Sequence, residues 1–280
     1  MLTDYHLHLR PDEDGTTFER YFTAENVERY RAAAAAVGIE ELGVSEHVYR
    51  FRQALDLWRH PLWLENAKDD LDEYCEFVRS TPLRLGVECD FVPGAEARTA
   101  ALLEARDFDY VVGSVHFVGD GDAAVDHDGF DVWAGDGDAE EIWTRYFGHF
   151  ERCARSGLFD ILAHPDLVKV WGRGRPLPEG DLGRFYEPAV EAIVAGGAAV
   201  ELSTAGLRKP VGELYPAHAF AELVAEAGVP FALSSDAHVP EQIGFRYDDA
   251  LAFLDDLGVE EIAVFEGRRR RLEPLGARVG

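Results

Sequence analysis

Seven short apolar runs recur along this chain, and each stops at, or within two residues of, a His, Glu or Asp that can bind a metal ion. The runs are Leu2–Tyr5, Leu42–Val44, Leu83–Val87, Tyr110–Val115, Ile161–Ala163, Ala198–Val200 and Phe231–Leu233. Helix-like segments separate most of them, and this alternation predicts right-handed βαβ units around a parallel sheet. In parallel α/β barrels the reacting groups lie at the carboxyl ends of the strands. The pattern therefore predicts an α/β barrel with its site at one end.

The segments between these runs carry helix start and stop signals. Thr23 precedes Ala-Glu-Asn as an N-cap would, and the alanine-rich stretch that follows ends at Gly38. Further helices are predicted at Pro61–Arg79, Gly94–Arg106, Glu140–Ser156, Glu187–Ala195, Ala217–Ala227 and Asp248–Leu257. The Gly- and Asp-rich segment Gly119–Asp138 has little periodicity, so we expect a surface loop. It is either a lid over the cleft or an acidic, solvated insertion.

Length and composition favour one domain that covers residues 1–280, because 47% hydrophobic content supports a large core. The chain contains no run of 18 apolar residues, and it opens on a predicted strand rather than on a basic, apolar leader, so we expect a cytoplasmic protein. Cys75, Cys89 and Cys153 lack Cys-x-x-Cys spacing, which predicts free thiols rather than disulfides or a thiolate zinc site.

The formal net charge of −26 argues against a nucleic-acid or anionic-membrane partner, because phosphate backbones require a basic surface. It does not argue against a small phosphate ester, since local cations and metal ions can invert the field inside a cleft. The run Arg268–Arg271 is short and is predicted to be a solvated face. The sequence indicates no particular oligomeric state.

Spacing and clustering of imidazoles and carboxylates predict a metal centre. His6 and His8 are two residues apart, so on a strand both side chains point the same way, and Asp236 and His238 repeat that spacing. Glu88 ends another predicted strand, where a buried carboxylate is costly unless it is paired or coordinated. The other histidines at strand ends are His47, His116 and His164. Six of the ten histidines thus fall at strand ends beside carboxylates.

Six motifs, in order, resemble those of the polymerase and histidinol phosphatase (PHP) domain family. They are Asp4-Tyr-His-Leu-His8, Ser45-Glu-His47, Gly86-Val-Glu88, Gly113-Ser-Val-His116, Ala163-His-Pro-Asp166 and Ser235-Asp-Ala-His238. The resemblance spans nearly the whole chain and implies a distorted seven-stranded (β/α)7 barrel with a trinuclear metal centre. The segment from Glu201 to Pro210, with Tyr215-Pro216 behind it, is similar to the histidinol phosphatase branch of the family.

The resemblance also implies a set of ligands for each metal ion. One metal would take His6, His8, Glu88 and Asp236, the second Glu88, His116 and His164, and the third His47 and His238. Many relatives have a further histidine where this chain has Asp14. Asp14 can act as an oxygen ligand, Asp12 or Glu13 can replace it, or the third site can be weak. Mixed imidazole and carboxylate ligands suit zinc, iron and manganese alike.

The activity implied is metal-dependent hydrolysis of a phosphate monoester, foremost L-histidinol phosphate to L-histidinol and phosphate in histidine biosynthesis. Two close metal ions can lower the pKa of a shared water and yield hydroxide near neutral pH. Glu88 would bridge them, and Asp236 or His238 would return a proton to the leaving alkoxide. Arg208, with Lys169 or Arg175, would clamp the phosphate. The alternatives are a phosphoesterase for another small ester or a nucleotide, and a non-enzymatic metal-binding or regulatory domain.

Overall fold

Parallel strands alternate with helices in the computed structural model, which describes residues 1–13, 15–118, 123–134 and 137–276. The strands are β1 (Thr3–Asp4), β2 (Glu41–Val44), β3 (Arg84–Leu85), β4 (Glu88–Asp90), β5 (Val112–Ser114), β6 (Ile161–Leu162), β7 (Ala199–Ser203), β8 (Phe231–Ser234), β9 (Glu261–Glu266) and β10 (Arg269–Pro274). The α-helices are α1 (Phe18–Tyr21), α2 (Ala24–Ala36), α3 (Pro61–Asn66), α4 (Leu71–Arg79), α5 (Glu96–Glu104), α6 (Ala139–Arg155), α7 (Gly183–Gly196), α8 (His218–Glu226) and α9 (Tyr247–Asp256). Every apolar run overlaps a strand, so the predicted α/β class is confirmed.

The parallel strands form a closed ring. Strands β1, β2 and β3 pair in that order, and β4 to β8 form a second parallel sheet in chain order. Two parallel bridges, between His47 and Glu88 and between Leu7 and Ala237, join the two sheets at their edges. The backbone N–H of Glu88 also donates to the carbonyl of Glu46 across 3.0 Å. Strand β4 continues the run that begins with β3, so the ring is a seven-stranded barrel, interrupted within one strand.

Aromatic side chains fill part of the barrel interior. The ring of Tyr5 lies 5.0 Å from that of Tyr110 and 5.7 Å from that of Phe265, measured between centroids. A Cβ atom at Gly43 or Gly86 would lie 2.3 Å from atoms of Tyr110, closer than van der Waals contact allows. These two glycines therefore make room for the tyrosine between neighbouring strands. The predicted metal ligands lie at the carboxyl ends of the strands, above this packed layer.

Two features differ from the sequence-based predictions. The helix predicted over Pro61–Arg79 is divided into α3 and α4, because the carboxylate of Asp70 accepts hydrogen bonds from the backbone N–H groups of Asp72 and Glu73 and caps α4. The antiparallel hairpin of β9 and β10 was not predicted at all. Its basic strand is solvated as expected, although Arg268 beside it is half-buried against Asp160.

The remaining predictions about the chain as a whole can be checked in part. Cys75, Cys89 and Cys153 are buried free thiols, as predicted from their spacing. Of the helices that the structure describes, none has the length and apolar character needed to cross a membrane. Asp14 and parts of the segment Gly119–Asp138 lie outside the described residues.

Candidate metal centre

Imidazoles and carboxylates converge at the carboxyl ends of the barrel strands. The eight predicted ligands brought together there are His6, His8, His47, Glu88, His116, His164, Asp236 and His238. Five of them are buried, and the side chains of His116, Asp236 and His238 are 13%, 14% and 20% exposed. The ninth predicted ligand, Asp14, lies outside the described residues. Groups up to 232 positions apart in sequence thus share one buried cluster that opens toward solvent on one side.

Glu88 lies at the centre of this cluster. Its Oε2 lies 2.5 Å from Nδ1 of His47 and 3.3 Å from Nε2 of His6. Its Oε1 lies 3.4 Å from Nε2 of His164 and 3.5 Å from Nε2 of His116. Burial opposes ionisation of this carboxyl, but the imidazoles of His47, His6 and His116 outweigh it and hold the pKa of Glu88 well below its usual value. The two oxygens face different imidazoles, as a carboxylate shared between two metal ions would.

Three groups of side chains have ligand atoms within 4.8 Å of one another, close enough to hold a metal ion. The groups are His6 with His8 and Asp236, His6 with Glu88 and His164, and His8 with His47 and His238. The first group is three of the four ligands that the family resemblance implied for one metal, and the third adds His8 to the implied pair of His47 and His238. The second has His6 where that resemblance implied His116, whose Nε2 nevertheless faces the same oxygen of Glu88.

Unpaired nitrogen atoms show that these groups suit metal ions. Nε2 of His6 and Nε2 of His8 are buried and make no hydrogen bond to any described residue. Carboxylate oxygens lie 3.3 Å and 3.5 Å away, but not in hydrogen-bonding geometry. Burying such atoms unpaired is costly, and coordination would satisfy them. The mixed nitrogen and oxygen donors match divalent ions such as zinc, iron or manganese.

Carboxylates outside the predicted ligand set orient two of the imidazoles. Glu201 Oε1 lies 2.7 Å from Nδ1 of His6, and Asp90 Oδ1 lies 2.7 Å from Nδ1 of His116. When Nδ1–H donates to the carboxylate, Nε2 is left with its lone pair toward the cluster. Burial opposes charge on His6, but Glu201 and then Glu88 outweigh it and raise the pKa of this imidazole well above its usual value. The surrounding carboxylates thus favour positive charge at this end of the barrel.

Asp12 lies where the sequence left the last ligand open. Its Oδ2 lies 2.7 Å from Nε2 of His238 and 3.5 Å from Nε2 of His47, the two imidazoles assigned to the third metal. Its other oxygen accepts a hydrogen bond from Arg50. Of the alternatives considered for this position, Asp12 is the one that contacts both imidazoles in the described part of the chain.

The backbone is strained at two of the predicted ligands. His164 has φ 25° and Asp236 has φ 51°, and they are two of the four non-glycine residues with positive φ in the described chain. Residues other than glycine rarely adopt this conformation, and its cost persists only where the surrounding structure enforces it. The strain falls where β6 and β8 turn into loops, and both side chains point into the cluster.

Arg208 is held directly against the metal cluster. Its Nη2 donates to the carbonyl oxygens of Ser235 and Asp236 at 2.8 Å and 2.9 Å. Its Nη1 is buried and has no hydrogen-bond partner among the residues described. This guanidinium therefore fixes the backbone of one predicted ligand and keeps one donor that no described residue accepts.

Lys169 and Arg175, the other cations predicted to bind phosphate, have partners within the protein. Nζ of Lys169 is buried, lies 3.0 Å from Asp166 and donates to the carbonyl of Leu214. Arg175 forms an ion pair with Asp131. Phosphate binding by either cation would require that it leave a carboxylate, so the geometry favours Arg208 among the three.

A cavity of about 690 Å³ opens over the cluster. Its lining includes Asp12, Tyr49, His47, His116, Asp126, His127, Phe130 and Lys209. Three of these belong to the described part of the segment Gly119–Asp138, where Ala124, Val125 and Trp133 are buried. Residues 123–134 are therefore a packed wall of the cleft, which removes the interpretation of that stretch as a solvated insertion. Lys209 also faces this cleft, although sequence analysis gave it no role.

Comparison with known proteins is consistent with this architecture. The PHP domain model matches residues 16–205, which is more than half of the chain. The chain belongs to the PHP domain family. It is 35% identical over 253 residues to a probable histidinol-phosphatase of Deinococcus radiodurans, covering 88% of this chain and 91% of that protein. A probable histidinol-phosphatase of Schizosaccharomyces pombe is 26% identical over 258 residues, covering 82% of this chain and 80% of that protein.

Solved structures show the same PHP fold. Histidinol phosphate phosphatase of Lactococcus lactis, in complex with zinc, L-histidinol and phosphate, superposes with a TM-score of 0.73 at 17% identity, covering 96% of this chain and 98% of that one. The putative histidinol phosphatase of Listeria monocytogenes gives a TM-score of 0.69 at 19% identity, covering 88% and 99%. At this identity the likeness establishes the PHP fold and leaves the chemistry to the residues of the site.

Glu201→Gln tests whether the carboxylate behind His6 supports the metal centre. Glutamine keeps an acceptor for Nδ1–H but loses the charge, so we expect metal affinity and kcat/KM to fall about 10- to 100-fold. Chelator competition and steady-state kinetics measure the two effects. Glu261→Gln, an exposed change on β9, is the matched control and should alter neither. Wild-type metal affinity in the Glu201 variant would show that this hydrogen bond does not tune the ligand.

Proposed function

We propose that this protein is a metal-dependent phosphomonoesterase that hydrolyses L-histidinol phosphate to L-histidinol and phosphate, in histidine biosynthesis. The observation that carries the reaction class is the buried ring of imidazoles around both oxygens of Glu88. Support for the substrate comes from the probable histidinol-phosphatase of D. radiodurans, to which 88% of this chain aligns. The zinc, L-histidinol and phosphate named for the L. lactis protein of the same fold agree with that substrate.

We propose that the cluster holds three divalent or mixed-valence ions, of zinc, iron or manganese. Divalent ions supply Lewis acidity, which lowers the pKa of a water molecule and offsets charge on phosphoryl oxygens. The ligands would be the eight clustered residues, with Asp12 completing the group of His47 and His238 in place of Asp14. Glu88 would serve two ions, since each of its oxygens faces a different pair of imidazoles.

We propose that the phosphate is bound by Arg208 and that the leaving alkoxide is protonated by Asp236 or His238. The free Nη1 of Arg208 would donate to a phosphate oxygen while Nη2 keeps its two carbonyl partners. That arrangement binds the phosphate and holds the backbone of Asp236 with the same side chain. Asp236 and His238 lie on the open side of the cluster, where either can return a proton to the leaving alkoxide, directly or through water.

A panel of phosphate esters tests the proposed substrate. Purified, metal-loaded protein is assayed for phosphate release from L-histidinol phosphate, 4-nitrophenyl phosphate, glucose 6-phosphate and AMP. We expect kcat/KM for L-histidinol phosphate to exceed the others by about 100-fold, because buried polar groups discriminate strongly against ligands that leave them unpaired. Comparable turnover of all four would point to a general PHP phosphoesterase. No release from any of them would favour the non-enzymatic metal-binding alternative.

We further propose a small-molecule substrate without a nucleic-acid or membrane partner, and a cytoplasmic location. The net charge of −26 supports the first point, since a polyanion would be repelled by most of the surface. The histidine-biosynthetic role that the proposed substrate implies supports the second.

A further inference from the structure

The wall of the cleft carries a carboxylate that the proposed chemistry does not use. Asp126 is half-buried and lines the cavity together with His116 and Phe130. Within the described residues, its side chain has neither a hydrogen-bond partner nor an ion-pair partner. A half-buried charge of this kind is costly unless a ligand supplies the counter-charge.

Other carboxylates that line the same cavity are already paired or lie at its rim. Asp12 contacts Arg50, and Asp69 contacts Arg10. The remaining described carboxylates of the lining are Glu13, Glu19 and Glu65, which are exposed or half-exposed. Asp126 therefore differs from Asp12 and Asp69 in making no ion pair with an arginine among the residues described.

Hydrogen bonds fix both the N–H and the carbonyl of Val125, the residue before Asp126. Val125 N–H donates to the carbonyl of His116 at 2.9 Å, and the indole N–H of Trp171 donates to the carbonyl of Val125 at 2.7 Å. Ala124, one residue earlier, is bridged to Phe117. A carboxylate mounted on such a backbone loses little conformational freedom when it binds a ligand, which is the arrangement that gives specificity at low entropic cost.

Asp126 also lies close to the metal cluster. The N–H of its neighbour Val125 donates to the carbonyl of His116, and the side chains of Asp126 and His116 line the same cavity. A substrate whose phosphate contacts the cluster would therefore place its neighbouring atoms within reach of Asp126. In L-histidinol phosphate the carbon next to the phosphate-bearing carbon carries a primary ammonium, which is a cation that a carboxylate binds through a charge-assisted hydrogen bond.

We propose that Asp126 binds the ammonium group of the substrate and thereby selects amino-alcohol phosphates over phosphate esters that lack an amine. The proposal rests on the proposed function and names the group that recognises the organic part of the substrate. In this proposal Asp126 determines substrate specificity and is not a ligand of the metal ions.

Asp126→Asn, assayed on two matched esters, tests this role. The esters are L-histidinol phosphate and its deamino analogue, 3-(imidazol-4-yl)propyl phosphate, which differ only in the amine. We expect kcat/KM for L-histidinol phosphate to fall about 10- to 100-fold, mainly through KM, because a hydrogen bond to a charged group is lost. The deamino ester should be hydrolysed as well by the variant as by the wild type, with unchanged metal content. Asp128→Asn, an exposed change in the same segment, should leave both esters unaffected.

The possible outcomes separate this proposal from the proposed function. If wild-type protein releases phosphate from neither ester, the proposed function is wrong whatever the variant does. Equal hydrolysis of both esters by the wild type would leave the function standing and would overturn the Asp126 assignment. If the wild type prefers L-histidinol phosphate and the Asp126 variant keeps that preference, only the Asp126 assignment fails. Equal losses on both esters, or a fall in metal content, would show that Asp126 supports the cluster and would also overturn it. Partial recovery of the preference in Asp126→Glu would support recognition by charge.

Discussion

Glu88→Gln is expected to abolish phosphatase activity, with kcat reduced about 1000-fold or more, which corresponds to about 4 kcal/mol in the activation barrier. The substitution keeps the size of the side chain but removes the charge. One of the two oxygens that face His47, His6, His164 and His116 would become an amide nitrogen, which cannot accept or coordinate. We expect the variant to lose bound metal as well as activity. Steady-state kinetics and elemental analysis of the purified protein measure both.

Glu41→Gln is the matched control for Glu88→Gln. Glu41 begins β2 at the opposite end of the barrel, where its carboxylate pairs with Arg84 at 2.9 Å. We expect this variant to keep its metal ions and its activity, even if the lost ion pair lowers its stability. Circular dichroism would confirm that both variants are folded. Full phosphate release by the Glu88 variant would contradict a reaction that depends on this cluster.

The barrel was predictable from sequence because each strand that carries a ligand is a short apolar run followed by a polar residue. The hairpin of β9 and β10 shows the limit of that rule. The apolar run Ile262 to Phe265 is also followed by a carboxylate, Glu266, but this residue pairs with Arg84, away from the cluster, and precedes a turn at Gly267. The strand after the turn, Arg269 to Pro274, begins with three arginines and lacks an apolar alternation. The hairpin is held on the barrel by Phe265, which packs against Tyr5 and Tyr110 from distant parts of the chain. Periodicity along the sequence does not contain that information.

The predicted ligands came together for a related reason, since strand ends of a parallel barrel share one face. The carboxylates that support them were harder to identify. Asp90 has the same two-residue spacing from Glu88 as His8 has from His6, which places it on the same side of its strand and was the available signal. Glu201 stood at a strand end but received no role, because its partner His6 is 195 positions away.

Cations were predicted least well, because the partner of a surface charge is set by tertiary contacts. Lys169 and Arg175 looked available for phosphate until Asp166 and Asp131 were found beside them. Lys209, next to Arg208 in sequence, lines the cleft instead. The ligands were therefore predictable from the fold, because they lie at strand ends. The partners of the charged loop residues depend on the three-dimensional structure.

Metal removal is expected to inactivate the protein and to lower its thermal stability together. Without metal ions, Nε2 of His6 and Nε2 of His8 are buried with no partner among the described residues, and the surrounding carboxylates lose the positive charge that offsets their burial. Ligand present at about 1000 times its dissociation constant stabilises the folded state by about 4 kcal/mol. For a chain of this size that corresponds to a fall of about 10 °C in Tm after chelation. Differential scanning fluorimetry and phosphate release, measured on the same chelated sample, check the two effects.

Restoration and a variant control separate loss of the ions from damage to the protein. Adding back zinc or manganese should restore both Tm and activity, and titration of the ions should reveal how many bind per chain. The Glu88→Gln variant, with the central carboxylate already neutral, should show a much smaller change in Tm on chelation because less metal is present to be removed. A wild-type protein that stays fully active with every ion stripped would contradict the proposed chemistry. Inactivation without a fall in Tm would instead mean that the ions contribute to the reaction but that the cluster is stable without them.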